Sequence, residues 1–270
     1  MSWLWVPLLV CWLLAGVHAV LGFRVIARNI IFLDLALAQL AALGAMIGMV
    51  MGLAPESGGV SLAAMSMTSL GAVFFVLMPE KYRGVSQEVM IGLVYVMAVA
   101  GVMIALHSSP AAGHHLTEML VGNILFVPAS ELGSLAMYYA VLMTAYALVR
   151  YVVLPRFGAS SRWHDFVFYL FFGWAVTSSV KVAGVLLVFV FLIVPAVASL
   201  WWGVCSPWRR WIFACGTGVV FSSLGVLLSV VLDWPTGAAI VLAAGVVLVG
   251  VRVGVYVGRE LPVSVGVNPN

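Results

Sequence analysis

The sequence predicts an all-α, polytopic transmembrane bundle of 8 to 9 spans that forms one domain over residues 1–270. Three observations predict it. Hydrophobic residues fill 64% of the positions and charged residues only 8%, against roughly 25% charged in a soluble domain. Apolar runs recur at bilayer length, about 20 residues. Basic residues cluster in the gaps between alternate runs, as the positive-inside rule requires.

The runs lie at 3–21, 30–53, 59–78, 88–107, 132–153, 209–231 and 237–256. Residues 166–203 are apolar apart from Lys181. At about 1.5 Å per residue they are far too long for one untilted crossing of a core about 30 Å thick, so two crossings with a turn near Gly184 fit better. The first run mimics a secretory signal, with Val17-His18-Ala19 as a small-residue cleavage site, but it lacks the positive n-region of one and is read as a retained span. Cys11, Cys205 and Cys215 match neither a zinc site nor a disulfide framework and are read as buried packing residues.

Nine crossings with the N-terminus outside place all but one of the twelve basic residues inside. The inner groups are Arg24 and Arg28; Lys81 and Arg83; Arg150, Arg156 and Arg162; Arg209 and Arg210; and Arg252 and Arg259. Lys181 alone falls outside, where it snorkels to the interface. A single crossing over 166–203 would export Arg209 and Arg210, so charge and length favour the hairpin independently. The net +3 is therefore topological, and no basic, aromatic-interleaved face points to nucleic acid. The long outer loop, 108–131, carries His114, His115, Glu118 and Glu131, with His107 just before it. The largest inner loop, LPRFGASSRWHD, holds Arg156, Arg162, His164 and Asp165 and suits a cytoplasmic partner better than catalysis.

No Walker phosphate loop, HExxH helix, GxSxG elbow or CxxC pair is present. Any ATP hydrolysis must come from another chain. Haem ligation needs histidines on facing helices, and only His18 sits inside an apolar span. An intramembrane enzyme would need paired acids at bilayer depth, and the sequence offers one, Asp34. Ionisable groups inside membranes are costly and mark pathways or partners. Two readings stay open for Asp34: it lines a path, or it pairs with Arg28 or Arg24 near the inner surface and serves the helix dipole.

Gln39 lies five residues on, and at about 100° per residue it points about 140° away from Asp34, so the two cannot share one ion from a single helix. Gly44, Gly48 and Gly52 form a small-residue stripe that favours close helix packing. Glu88 follows Ser86 at a helix start, where the dipole favours an acid. The pair His114-His115 offers imidazole suited to zinc, manganese or iron, although adjacent residues rarely hold one ion together.

Five stretches, IIFLDLALAQLAALGA, SQEVMIGLVYVMAVAG, HHLTEMLVGNILFV, VTSSVKVAGVLLVFVFLIVPAVAS and LDWPTGAAIVL, occur in order from about residue 24 to residue 250. Together they resemble the metal-type ABC permease family, the membrane subunits of zinc, manganese and iron uptake systems. The resemblance implies an ABC importer permease-like bundle in the bacterial cytoplasmic (inner) membrane, working as a homodimer. It implies two partners, a cytoplasmic ABC ATPase subunit and an extracytoplasmic metal-binding protein. No cofactor is expected to stay bound; a divalent metal ion is the cargo. On this reading Asp34, Gln39, His114 and His115 meet the metal, while Arg156, Arg162, Asp165, Arg209 and Arg210 face the ATPase.

The chain departs from the family in two places. Zinc and manganese members carry a histidine four residues after the acid of the second span, one turn apart and able to share an ion. Here Ala38 stands at that position and Gln39 follows, in a DLALAQ branch that makes a harder, oxygen-rich site. The acidic, alanine-rich segment that precedes the sixth span in the family is replaced by the shorter, basic Pro155 to Asp165. That change motivates the rival expectation of a permease-derived accessory or assembly protein that binds partners without pumping.

Overall fold

The computed structural model describes residues 4–260 apart from 56, 79–80, 83, 109–123, 157 and 159. His114, His115, Glu118 and Arg83 lie outside the described residues. Among those described, the helices are α1 (Trp5–Ala27), α2 (Leu33–Val50), α3 (Gly58–Leu77), α4 (Gln87–Ser108) and α5 (Ala129–Leu148). α6 (Ser161–Ala183), α7 (Val185–Trp201), α8 (Pro207–Leu232) and α9 (Thr236–Glu260) complete the bundle. A two-residue ladder, β1 (Lys81–Tyr82) with β2 (Val85–Ser86), turns the chain between α3 and α4. Among the described residues eight helices are long and apolar enough to cross a membrane; α7, with 17 residues, is a shorter apolar helix.

Local chemistry sets the ends. Ser57 accepts a hydrogen bond from the Val60 N–H at 3.4 Å and caps α3. Pro207 occupies the first turn of α8, where its missing N–H costs nothing. Asp233 closes α8 in the left-handed region at φ 54°, and the Ser229 hydroxyl meets the Trp234 carbonyl at 2.7 Å and Thr236 at 2.8 Å, which staples α8 to α9. α5 does not stop at residue 153. It runs on through a π turn at Val149–Val153 into Leu154–Arg156, and α6 resumes at Ser161. The expected twelve-residue inner loop is thus largely helical, with Trp163, His164 and Asp165 on the first turns of α6.

The reversal at Gly184 follows from packing order. Along α1, Gly16, Ala15 and Trp12 meet Trp211, Gly218 and Ser223 of α8 respectively, so the two helices are antiparallel. The start of α8 therefore lies at the face where α1 ends. Arg28, just past α1, also pairs with Asp165 at the start of α6. A chain that leaves this face along α6 and is back on it at Pro207 must reverse once between them. Gly184 does so at φ 79°, a left-handed conformation that glycine adopts without Cβ strain.

In lipid the hydrophobic effect does not draw helices together, so close van der Waals approach and polar pairs must do so. α2 packs on α3, α4 and α6, while α1 packs on α7 and α8, and α9 lies against α7 and α8. Gly44 shows the principle: a Cβ there would sit 2.5 Å from the Ala63 carbonyl oxygen and 2.7 Å from the Met67 Cβ. Gly48 continues this contact with Ala63. Gly52 does not, since a Cβ there would meet nothing within 4 Å; at φ 91° it terminates α2 instead. Cys11 is buried and Cys215 half-buried, but Cys205 is exposed, because the link between α7 and α8 that carries it stands outside the packed helices.

Candidate functional site

Asp34 lies in the first turn of α2, the helix at the centre of its half of the bundle. Its residue is 2% exposed, and its Oδ1 has no hydrogen-bond partner among the described residues. Neither nearby arginine pairs with it. The Arg28 guanidinium donates to Asp165 and stands over the Phe168 ring at 5.0 Å and the Tyr169 ring at 5.7 Å. The Arg24 guanidinium donates to the Tyr151 hydroxyl at 2.7 Å and covers the Tyr146 ring at 5.1 Å. Gln39 and Ala38 are both buried on the same helix. No cluster of three or more histidine, cysteine or acidic side chains forms among the described residues.

A second layer of polar groups surrounds the start of α2. Both carboxylate oxygens of Glu88, in the first turn of α4, accept backbone N–H bonds from Ile31 and Phe32 at 3.1 and 3.2 Å. These are donors that the start of a helix leaves without intrahelical partners. Glu88 therefore serves a neighbouring helix as well as its own dipole. Beside it, Gln87 donates to the Phe75 carbonyl at 3.0 Å and accepts from the Tyr169 hydroxyl at 3.2 Å. Arg28, Asn29, Gln87, Glu88, Asp165 and Tyr169 line one cavity of 440 Å³ at the basic end of the bundle. It has room for several waters and presents both signs of charge.

Deeper in the bilayer, hydroxyls form a seam between α3, α5 and α6. Thr68 and Thr177 meet at 2.9 Å, and Tyr139 and Ser179 at 2.6 Å. Trp174 donates to Ser69 at 3.0 Å, and the Tyr138 hydroxyl to the Trp174 carbonyl at 3.2 Å. Serine and threonine in apolar runs were the available signal, but a hydroxyl bonded to its own helix reads the same in sequence. His18 is fully buried; its Nδ1–H donates to the Leu14 carbonyl at 3.0 Å, and Nε2 has no partner among the described residues.

The five residues read as facing an ATPase all lie at the basic end, though not in one loop. Arg156 ends α5, and Arg162 and Asp165 open α6. Arg209 and Arg210 open α8, and the Arg210 Nε–H donates to the Val204 carbonyl at 3.0 Å. Asp165 is half-buried against Arg28.

Solved structures share this fold. PsaBC from Streptococcus pneumoniae in complex with Fab is similar over 93% of this chain and 91% of that chain, with a TM-score of 0.71 at 16% identity. An inward-facing conformation described as a metal-chelate type ABC transporter is similar over 92% of this chain and 85% of that chain, with a TM-score of 0.59 at 15% identity. A search of curated sequences finds no match. The ABC 3 transport family model matches residues 2–254, and with its eight bilayer-length helices the chain is an integral, multi-pass membrane protein that belongs to the ABC 3 transport family.

Proposed function

We propose that the chain is the membrane permease subunit of an ATP-driven importer for a divalent metal ion, free or chelated, in a bacterial inner membrane. Two copies enclose the path, a separate ABC ATPase docks at the basic end, and an extracytoplasmic metal-binding protein delivers the ion near His114 and His115. The observation that carries this reading is Asp34, a buried carboxylate with one oxygen unpartnered among the described residues, on the central helix of a chain in this family. A buried carboxylate without a counter-charge is costly and gains most from a passing cation.

Asp34 and Gln39 line different sides of the path, because about 140° of helix rotation separates them. Carboxylate and amide oxygens favour harder ions than imidazole does, which bears on the choice among zinc, manganese and iron. The 440 Å³ vestibule is the exit toward the ATPase side. Alternating access opens the path outward to receive the ion and inward on ATP-driven closure, with the Gly184 turn and the Pro195 position in α7 as its irregular backbone. Arg156, Arg162, Asp165 and Arg210 supply the ATPase-facing end.

The test is metal accumulation in vesicles holding this chain and its candidate ATPase, measured across zinc, manganese and iron with and without ATP. ATP-dependent accumulation of one ion supports the permease and names its cargo. One feature favours a second reading, a non-pumping accessory protein: only residues 157–160 separate α5 and α6 where the family carries an acidic segment. Failure of the chain to hold an ATPase at all would move the assignment there.

A further inference from the structure

The link between α7 and α8 borders a second cavity, open to the surroundings and sharing no lining residue with the first. It measures 660 Å³ and is lined by Trp202, Cys205, Ser206, Arg209, Ile212 and Phe213 among others. Indole rings gather at this level. Trp208 stacks on Trp211 with centroids 5.0 Å apart, and Trp202 lies 5.5 Å from Phe213. Arg252 of α9 stands over the Trp201 ring at 5.6 Å. Trp208 is 66% exposed and Trp202 51%, a large apolar outlay to leave open unless lipid covers it.

Charge identifies the occupant. Arg209 lines the cavity, and no acidic side chain does. The ion pair found among the described residues, Arg28 with Asp165, involves neither Arg209 nor Arg252. Tryptophans mark the level of the membrane–water interface, and uncompensated arginines at that level attract the anionic lipids of the cytoplasmic leaflet. Ile212 and Phe213 give the cavity apolar walls beside the arginine, and Leu200, Val249 and Val253 of the neighbouring helices α7 and α9 are exposed.

We propose that this cavity binds an anionic phospholipid of the adjoining leaflet, with Arg209 holding the phosphate, Arg252 adding a second cation nearby, and the indoles flanking the glycerol region. Arg209 is thereby a lipid ligand and not an ATPase contact, whatever the chain transports.

Native mass spectrometry of the detergent-purified full chain, mixed with equal amounts of phosphatidylglycerol and phosphatidylcholine, tests this. Preferential retention of phosphatidylglycerol is expected, about fivefold weaker in Arg209→Gln and largely kept in Arg209→Lys, which also guards against a folding defect. Equal retention of the two lipids, or an Arg209→Gln chain that keeps its phosphatidylglycerol, overturns the proposal. So does displacement of the lipid by glycerol 3-phosphate at the same concentration, which would assign the cavity to a free phosphate. Loss of ATPase co-purification in Arg209→Gln with lipid retention intact would return Arg209 to the ATPase.

Discussion

Arg28 and Asp165, separated by 137 residues in sequence, form the ion pair that binds the end of α1 to the N-terminal part of α6. Both side chains are about a third exposed or less, at 31% and 26%, so screening is partial and the pair is worth about 1 kcal/mol. Asp165→Asn should lower the melting temperature in detergent by about 2–4 °C. The double exchange Arg28→Asp with Asp165→Arg should recover part of the loss, and no recovery would show that the pairing itself contributes little.

Asp34 carries the transport reading. Asp34→Ala should abolish uptake while membrane expression stays at the unmutated level, and Asp34→Asn should do the same because an amide lacks the charge. Uptake retained in either variant removes Asp34 from the mechanism.

Glu88 holds α2 from outside. Its replacement by alanine strands the Ile31 and Phe32 N–H groups and should cost about 1 kcal/mol, the scale of a lost cap. Hydrogen exchange should quicken at residues 31–36, while exchange in α8 stays unchanged. A uniform change through the bundle would mean that Glu88 acts on global stability and not as a local cap.

Two glycines separate packing from propensity. Gly44→Ala forces a Cβ against the Ala63 carbonyl and Met67 and should destabilise by about 1–3 kcal/mol. Gly16→Ala, with nothing within 4 Å, should be neutral or stabilise by up to about 1 kcal/mol. Thermal unfolding of the two variants in one detergent decides it, and equal effects would contradict the close approach of α2 to α3.

The reversal at Gly184 predicts sidedness. In a chain whose native cysteines are replaced, a single cysteine at position 181 should react with an impermeant maleimide on the opposite side of the membrane from one at 156 or 209. Labelling of 181 and 209 from the same side would mean that α6 and α7 form one crossing.

Hydropathy and charge sufficed for the spans because burial in lipid is a property of each segment by itself. An apolar run of about 20 residues has no other low-energy home, and arginines resist crossing wherever they occur. Length and charge thus located the break near Gly184, and rarity alone singled out Asp34 as the acid at depth. The tertiary structure decided which groups meet. Asp34 could have paired with Arg28, but α6 brings Asp165 there instead. Glu88 looked like a cap for its own helix, yet crossing geometry aims its carboxylate at the start of α2. Gly52 shared the spacing of Gly44 and Gly48 but falls beyond the packed turns. Thr68 and Thr177 lie 109 residues apart and are joined only when α3 and α6 lie side by side. Such pairings depend on interhelical distances of a few ångströms, set by the whole bundle, and no local window of sequence contains them.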